Sequence, residues 1–199
     1  MRDGNQDQAR SRRLAQVIHV DKDKCVNCHA CIAVCPVKVC NDGSGSYVNV
    51  NADTCIGCGR CLAACSHGAR QFSDDFDAFQ QALAEKQPLI AVAAPSAAVS
   101  FPGQHRRLNG WLKSLGVEAV FDVTFGAELC AWSYAGYLRR HGSRPVIAQP
   151  CAAVATYVQV HCPELIEYLA PLDSPMVHTM KMVRRYFPQY RSHKIAVIS

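Results

Sequence analysis

The chain has 199 residues, of which 49% are hydrophobic and 19% are charged, and its formal net charge is +5. This balance excludes an intrinsically disordered chain, and no stretch reaches the ~18 consecutive apolar residues of a membrane span. The beginning of the chain lacks the apolar core of a signal peptide, so we expect a cytoplasmic protein without a membrane span. In such a protein the 12 Cys residues are more often metal ligands than disulfides.

The first element in chain order is a basic N-terminal tail, residues 1–16, which contains Arg10, Arg12 and Arg13. Basic runs can bind nucleic acid, but no nucleic-acid motif and no interleaved aromatic residues accompany these charges. We interpret them as solvated charge and predict no nucleic-acid partner.

The segment that follows repeats itself after 30 residues, because Val20–Cys35 corresponds to Val50–Cys65. A repeat this close implies two copies of one structural unit. Each copy reads Cys-x2-Cys-x2-Cys-x3-Cys, a spacing typical of 4Fe–4S clusters, each of which is held by four thiolates. Small residues between the Cys let backbone amides approach the cluster sulfides.

In two-cluster ferredoxins the first three Cys of a run hold one cluster and the fourth serves the other. We expect the same here, with the fourth Cys opening a short helix that points away from its own loop. The predicted ligands are, for cluster I, Cys25, Cys28, Cys31 and Cys65, and, for cluster II, Cys55, Cys58, Cys61 and Cys35.

Structural zinc is the main alternative for so many thiols, and disulfides are the other. Zinc usually takes two separated Cys pairs, whereas a tandem of three Cys at x2 spacing and a fourth at x3 fits a pair of cubanes better. Cys40 lies outside both patterns and is predicted to be a small buried residue, since the eight ligand positions are filled. His29 and His67 are predicted to be surface residues or contacts that tune the clusters.

Residues 17–72 resemble the bacterial-type two-cluster ferredoxin domain through both Cys runs and through Pro36, which follows the first run. Ser66 stands where that family usually has Pro, at a position that binds no iron. The resemblance implies an α+β ferredoxin fold, two 4Fe–4S clusters and one-electron transfer. Because a unit of this size buries little apolar surface, metal ligation is expected to supply much of its folding free energy.

Beyond a helical linker at residues 73–87, apolar runs of strand length alternate with helical patterns. The runs are apolar throughout, which is typical of strands buried on both faces of a parallel sheet. Helical stripes occur at Leu108–Leu115, at Leu129–Leu138 and after Ser174, an N-cap that Pro follows. This alternation predicts a partial α/β domain over residues 88–199. The predicted strands are Leu89–Ala94, Val117–Val123, Pro145–Gln149 and Ile195–Ile198.

Cys151 lies two residues past the third predicted strand. Functional groups of open α/β sheets collect beyond the carboxyl ends of the strands, so Cys151 is a candidate thiolate ligand or nucleophile. Its position alone leaves open a buried, inert Cys. Cys130, inside an apolar helix, and Cys162, before a Pro, are predicted to be structural.

Five segments of the second half agree in order and spacing with one known family; they are Ala93–Ser96, Phe121–Glu128, Gln149–Cys151, Cys162–Leu165 and Ser174–Met176. With them, residues 88–199 resemble the opening part of the catalytic domain of iron-only (FeFe) hydrogenases. A two-cluster ferredoxin domain directly upstream is also usual in that family. Its active site is the H-cluster, a 4Fe–4S cubane held by four Cys and bridged to a two-iron subcluster. The resemblance implies that Cys151 corresponds to the first of these four ligands.

Three departures from the family pattern bear on activity. Pro150 stands where catalytic members carry a Cys that relays protons, so proton delivery by that route is absent. Ala152, Ala153 and Val154 replace the aromatic bulk that usually follows. The other three H-cluster ligands would lie beyond Ser199, so we expect the chain to be an N-terminal fragment of a longer protein. The lost relay resembles the sensory branch of the family, whose hydrogenase-like domains are joined to signalling modules.

The sequence therefore predicts an iron–sulfur electron-transfer module of an anaerobic, hydrogenase-like protein that is not an active hydrogenase by itself. Sensing of H2 is the role that the resemblance to the sensory branch implies, and oxidation or production of H2 by the full-length protein stays open. Two 4Fe–4S clusters would relay electrons between a redox partner protein, a ferredoxin or an oxidoreductase, and an H-cluster completed by the full-length protein. A downstream signalling domain is the other expected partner. Two alternatives stay open: a stand-alone ferredoxin-type carrier with an α/β docking domain, and a regulator that reads redox state through its clusters.

Overall fold

A computed structural model describes residues 16–142 and 144–198 of the chain. The predicted basic tail, residues 1–16, therefore lies outside the described residues apart from its last position. Among the residues described, no helix combines the length and the apolar character needed to cross a membrane.

Contacts divide the described residues into two compact units. The first contains the chain up to Asp74 together with Ala152–Ile166, and the second contains Asp75–Cys151 and the chain from Glu167 onward. The short segment 152–166, which follows the α/β pattern in sequence order, is thus grouped in space with the Cys-rich part of the chain.

The first unit is built on the 30-residue repeat. Two four-residue helices, α1 (Ala30–Ala33) and α2 (Arg60–Ala63), occupy equivalent positions in the two copies. Two antiparallel pairs of short strands accompany them. Strand β1 (Ile18–Val20) pairs with β4 (Arg70–Phe72), and β2 (Asn41–Asp42) pairs with β3 (Asn49–Val50).

Left-handed backbone conformations shape the loop that precedes each short helix. In the first copy they fall on Asn27 and His29, with φ of 54° and 62°, and in the second on Gly57 and Gly59, with φ of 66° and 75°. These positions are equivalent in the repeat. Glycine adopts this conformation freely and Asn tolerates it, so both copies can form the same tight turn from different residues.

The expectation that the fourth Cys of each run opens a helix is wrong. Helix α1 ends at Ala33 and α2 ends at Ala63, two residues before Cys35 and Cys65 respectively. The short helices carry the third Cys of each run instead. In the first copy Pro36 disfavours helical backbone at the residue before it, so Cys35 lies outside the helix.

One helix from later in the chain belongs to the first unit. Helix α7 covers Ala152–His161, and the His161 ring donates from Nε2 to the carbonyl oxygen of Thr54 over 2.9 Å. Because Thr54 directly precedes Cys55, this bond anchors the end of the helix beside the second Cys run.

A three-stranded parallel sheet forms the centre of the second unit. Its strands β5 (Leu89–Ala93), β6 (Ala119–Asp122) and β7 (Lys194–Ile198) lie in the order β6–β5–β7. Residues 89–92 of the central strand are at most 3% exposed, as expected for a strand covered on both faces. The predicted mixed α/β class with a parallel sheet is confirmed.

The strand predicted at Pro145–Gln149 is wrong. Only Ile147 pairs there, through a single parallel bridge. Pro has no N–H to donate to a ladder, and the backbone N–H of Gln149 donates to the Tyr134 hydroxyl over 3.0 Å. Because these two residues give no backbone N–H to a strand ladder, the segment does not form a fourth strand.

The core of the second unit lies against the central strand. Ala91 is in register with Val120 of β6 and Ala196 of β7, and it packs with the buried side chains of Leu112 and Val117. Of the helices of this unit, one lies in the predicted helical linker before β5 and the others lie between the strands in sequence. They are α3 (Phe76–Ala84), α4 (Ala97–Ser100), α5 (His105–Ser114), α6 (Thr124–His141) and α8 (Pro175–Tyr186).

Helix α8 begins as the sequence predicts. The Ser174 hydroxyl accepts a hydrogen bond from the backbone N–H of Val177 over 3.4 Å, and Pro175 occupies the first turn. Helix α8 packs closely on α6, where the buried Gly126 faces Thr179 and the carbonyl of Pro175.

Candidate metal centres

A cavity in the first unit is lined by thiols from both copies of the repeat. Its volume is about 310 Å³, including its open mouth. The apolar side chains of Val26 and Val48 form part of its wall, and Arg70 reaches it from β4. Its four thiols are those of Cys25, Cys28, Cys31 and Cys65.

A second cavity, of about 350 Å³, has the reciprocal composition. Three of its thiols come from the second Cys run, and Cys35 comes from the first. Apolar side chains, among them Ile18 and Val50, complete the wall. Its five thiols are those of Cys55, Cys58, Cys61, Cys35 and Cys40.

Each predicted ligand set therefore lines its own cavity, with three thiols from one copy and the fourth from the other. Across residues 16–142 and 144–198, no group of three or more His, Cys, Asp or Glu side chains is placed to hold a single metal ion. The assignment of the eight thiols as iron ligands stays a prediction.

The thiols of the two copies share one feature of their exposure. The second Cys of each run, Cys28 and Cys58, is exposed, whereas Cys31 and Cys35 are buried and the remaining predicted ligands are intermediate. Both cavities thus have one thiol that faces solvent, at equivalent positions in the repeat.

Burial and backbone N–H groups set the acidity of two of these thiols. Burial alone would raise the pKa of Cys65, but backbone N–H groups aimed at its sulfur outweigh burial and hold that pKa below its ordinary value. At Cys61 burial raises the pKa, and the nearby charge of Arg70 opposes that rise. The backbone donors to Cys65 are Arg70, His67 and Ala69.

Arg70 is a site residue that the sequence analysis missed. It is only 6% exposed, and its Nη2 donates to the Cys31 sulfur over 2.9 Å and to Asn41 Oδ1 over 3.0 Å. The signal that could have found it is the repeat, in which Arg70 occupies the position of Cys40 and so breaks the similarity of the two copies.

Cys40 is buried, as predicted, at 3% exposure. Its sulfur lies 3.5 Å from the sulfur of Cys35, and Asn41 Nδ2 donates to it over 3.4 Å. Burial, followed by the neighbouring sulfurs of Cys35 and Cys55, raises the pKa of Cys40 to about 12. Cys40 is therefore a buried thiol with a raised pKa beside a predicted ligand.

The two His residues near the loops are both exposed, as predicted for surface positions. His29 and His67 line the first cavity. Ser66 and the Nδ1 of His67 are within hydrogen-bond distance at 3.3 Å.

Cys151 is exposed and lies immediately before helix α7. Because the segment before it is not a strand, Cys151 follows a loop and not a strand end. The exposure of Cys151 contradicts the alternative of a buried Cys at this position.

The two Cys that were predicted to be structural differ in burial. Cys130 is buried in α6, where burial and then Asp173 raise its pKa, and its sulfur lies 3.5 Å from the Asp173 carbonyl oxygen. Cys162 is only partly buried, and its interaction with the Tyr157 hydroxyl raises the pKa of Tyr157.

Two protein-family models match the chain. The model described as the C-terminal domain of the iron-only hydrogenase large subunit matches residues 87–199. A model described as a 4Fe-4S dicluster domain matches residues 24–70. The first match covers more than half of the chain, and the second includes both Cys runs.

Proposed function

Since the chain belongs to the iron-only hydrogenase large-subunit family, we propose that it is the iron–sulfur electron-transfer part of a hydrogenase-like, H2-sensing protein. When bound, its two 4Fe–4S clusters supply one-electron transfer. The observation that carries the proposal is the crossed composition of the two thiol-lined cavities. The proposed ligands are Cys25, Cys28, Cys31 and Cys65 for cluster I, and Cys55, Cys58, Cys61 and Cys35 for cluster II.

The donor set fits such clusters. Thiolates are the ligands that 4Fe–4S clusters take, and each cavity has at least four thiols in its wall. The first cavity also has the buried Arg70, whose Nη1 has no hydrogen-bond partner within the described part of the chain. A buried guanidinium without a carboxylate favours an anionic group beside it.

Electron exchange with a partner is proposed at the exposed thiols. Cys28 and Cys58 lie at the solvent-facing side of the two cavities, so a redox protein could approach either cluster there. We propose a ferredoxin or an oxidoreductase as that partner and a downstream signalling domain as the receiver of the signal.

Cys151 is proposed as one ligand of an H-cluster. Its thiol is exposed next to Pro150, and Pro has no group that could pass a proton to a reacting centre. This difference from catalytic members supports sensing of H2 over rapid turnover. One thiolate cannot hold a cubane, so Cys151 could act only with thiolates from outside residues 1–199. Further Cys motifs in the reading frame past codon 199 would support this role, and a stop codon there would contradict it.

Anaerobic reconstitution of the chain with iron and sulfide tests the electron-transfer proposal. We expect about eight irons and about eight sulfides per chain and, after reduction, the EPR spectrum of two interacting 4Fe–4S clusters. Stoichiometric zinc without sulfide, from the same cells or the same reconstitution, would refute the proposal.

Substitution of Cys151 tests its separate role. The Cys151→Ser chain should keep all of the about eight irons, because the thiol lies in neither cavity. Neither this variant nor the unaltered chain of 199 residues should oxidise H2 with a viologen dye as acceptor. Loss of a cubane from Cys151→Ser, measured as iron content, would contradict the ligand assignment, and H2 oxidation by the unaltered chain would contradict the proposed dependence on further ligands.

A further inference from the structure

The two cavities differ at several pairs of equivalent residues, and at one of these pairs both residues are buried and one of them is charged. Cys40 follows Cys35 by the same interval that separates Arg70 from Cys65, and the repeat places Cys40 and Arg70 at corresponding positions. Cys40 lines the cavity that contains Cys35, and Arg70 lines the cavity that contains Cys65. At this buried position, one site therefore has a thiol and the other has a guanidinium.

The guanidinium of Arg70 is held at the first cavity by specific contacts. Its Nη2 donates to the sulfur of Cys31 over 2.9 Å, and Asn41 Oδ1 accepts from the same nitrogen over 3.0 Å. Its Nη1 is also buried and has no hydrogen-bond partner within the part of the chain that the structure describes. Among the described residues Arg70 forms no ion pair with a carboxylate.

A buried guanidinium carries a positive charge in proteins. Such a charge is costly unless an anion compensates it, and here the nearest candidates are the sulfurs of the cavity wall. Four thiolates and a cubane form an anionic group that becomes more negative by one charge on reduction. The contacts of Arg70 therefore favour the reduced state of the cluster beside it.

We propose that Arg70 holds the reduction potential of cluster I above that of cluster II. This inference rests on the proposed two-cluster function. Hydrogen bonds to cluster sulfurs and nearby charge are known means by which proteins set such potentials. The charge of Arg70 also acts on Cys61 of the second cavity, but its hydrogen bond to sulfur goes to Cys31 of the first. Cluster I therefore gains more from Arg70 than cluster II does, and electrons settle on cluster I when the protein is partly reduced.

The chain offers a matched control in Arg60. This side chain lines the second cavity but is exposed, so water screens its charge. Replacing Arg60 should therefore change the potential of cluster II much less than replacing Arg70 changes that of cluster I.

A potentiometric titration followed by EPR tests the proposal on the reconstituted full chain, with dithionite as reductant. The signal of cluster I is identified as the one that Cys35→Ala retains. In Arg70→Gln we expect the one-electron reduction equilibrium of cluster I to shift at least tenfold toward the oxidised state, which is about 59 mV. Cluster II should shift less, and Arg60→Gln should shift either cluster by less than about threefold.

Several results would overturn the proposal. They are an unmoved cluster I in Arg70→Gln, a shift of cluster II as large as that of cluster I, and an equally large shift in Arg60→Gln. If Arg70→Gln does not load cluster I, the two potentials of the unaltered chain test the proposal. Cluster I must then have the higher reduction potential, and a lower one would overturn the proposal. Iron and sulfide content are measured first. A chain without two cubanes refutes the proposed function, whereas a loaded chain with unmoved potentials refutes only the role of Arg70.

Discussion

Replacing Cys35 by Ala is expected to remove about four of the about eight irons per chain, and these should be the irons of cluster II. Cys35 lies in the first Cys run but lines the cavity of the second. Its loss therefore leaves three thiols of the second run without a fourth ligand. Iron and sulfide analysis of the reconstituted variant, together with loss of the interaction between clusters in the EPR spectrum, measures this effect.

Cys40→Ala is the matched control for that substitution. Its sulfur lies 3.5 Å from that of Cys35 and in the same cavity, yet the repeat assigns it no cluster. We expect Cys40→Ala to keep all of the irons and Cys35→Ala to lose half of them. Equal iron contents in the two variants would show that Cys40 can take the place of Cys35 and would contradict the assignment of the fourth ligand.

Loss of a cluster should also destabilise the first unit. Among the residues described, the buried hydrophobic side chains of this unit other than Cys are those of Ile18, Val48, Val50, Ala69 and Val158. A core of this size supplies little hydrophobic stabilisation, so ligation has to contribute much of the folding free energy.

Gly126→Ala is expected to lower the free energy of unfolding of the second unit by about 1–3 kcal/mol. A Cβ at this position would overlap Thr179 Oγ1 and the carbonyl oxygen of Pro175. Thr179 is fully buried, and its hydroxyl donates to the same Pro175 carbonyl over 3.0 Å, so neither atom can move aside without cost. Helices α6 and α8 would have to separate, which urea unfolding of the loaded chain would detect.

Gly136→Ala is the control within the same helix. A Cβ at Gly136 would meet the ends of the Arg140 and Arg139 side chains, at 3.4 and 4.0 Å, and both side chains can move. Since Ala is the better helix former, this variant should raise the free energy of unfolding by about 0.5–1 kcal/mol. If both Gly variants changed stability in the same direction and by the same amount, the close packing at Gly126 would not be the cause.

Local patterns predicted much of this molecule. Continuous apolar runs predicted the three strands of the parallel sheet, and the Ser174 N-cap predicted the start of α8. Both predictions succeeded because these signals depend only on residues that are neighbours in the chain. The prediction at Pro145–Gln149 failed because an apolar run does not reveal where its backbone N–H groups will donate. The helix expected at Cys35 and Cys65 also failed, since the left-handed loop residues start each helix earlier in the run.

The sequence by itself determined the two Cys runs, their 30-residue repeat and the family to which the chain belongs, because ligand spacing and ordered motifs are properties of the chain. Only the tertiary structure decided that segment 152–166 joins the Cys-rich unit and that Arg70 lies against Cys31. Both depend on contacts between residues far apart in the chain. A local pattern contains no information about such contacts, so the charge beside the first cavity becomes visible only in the fold.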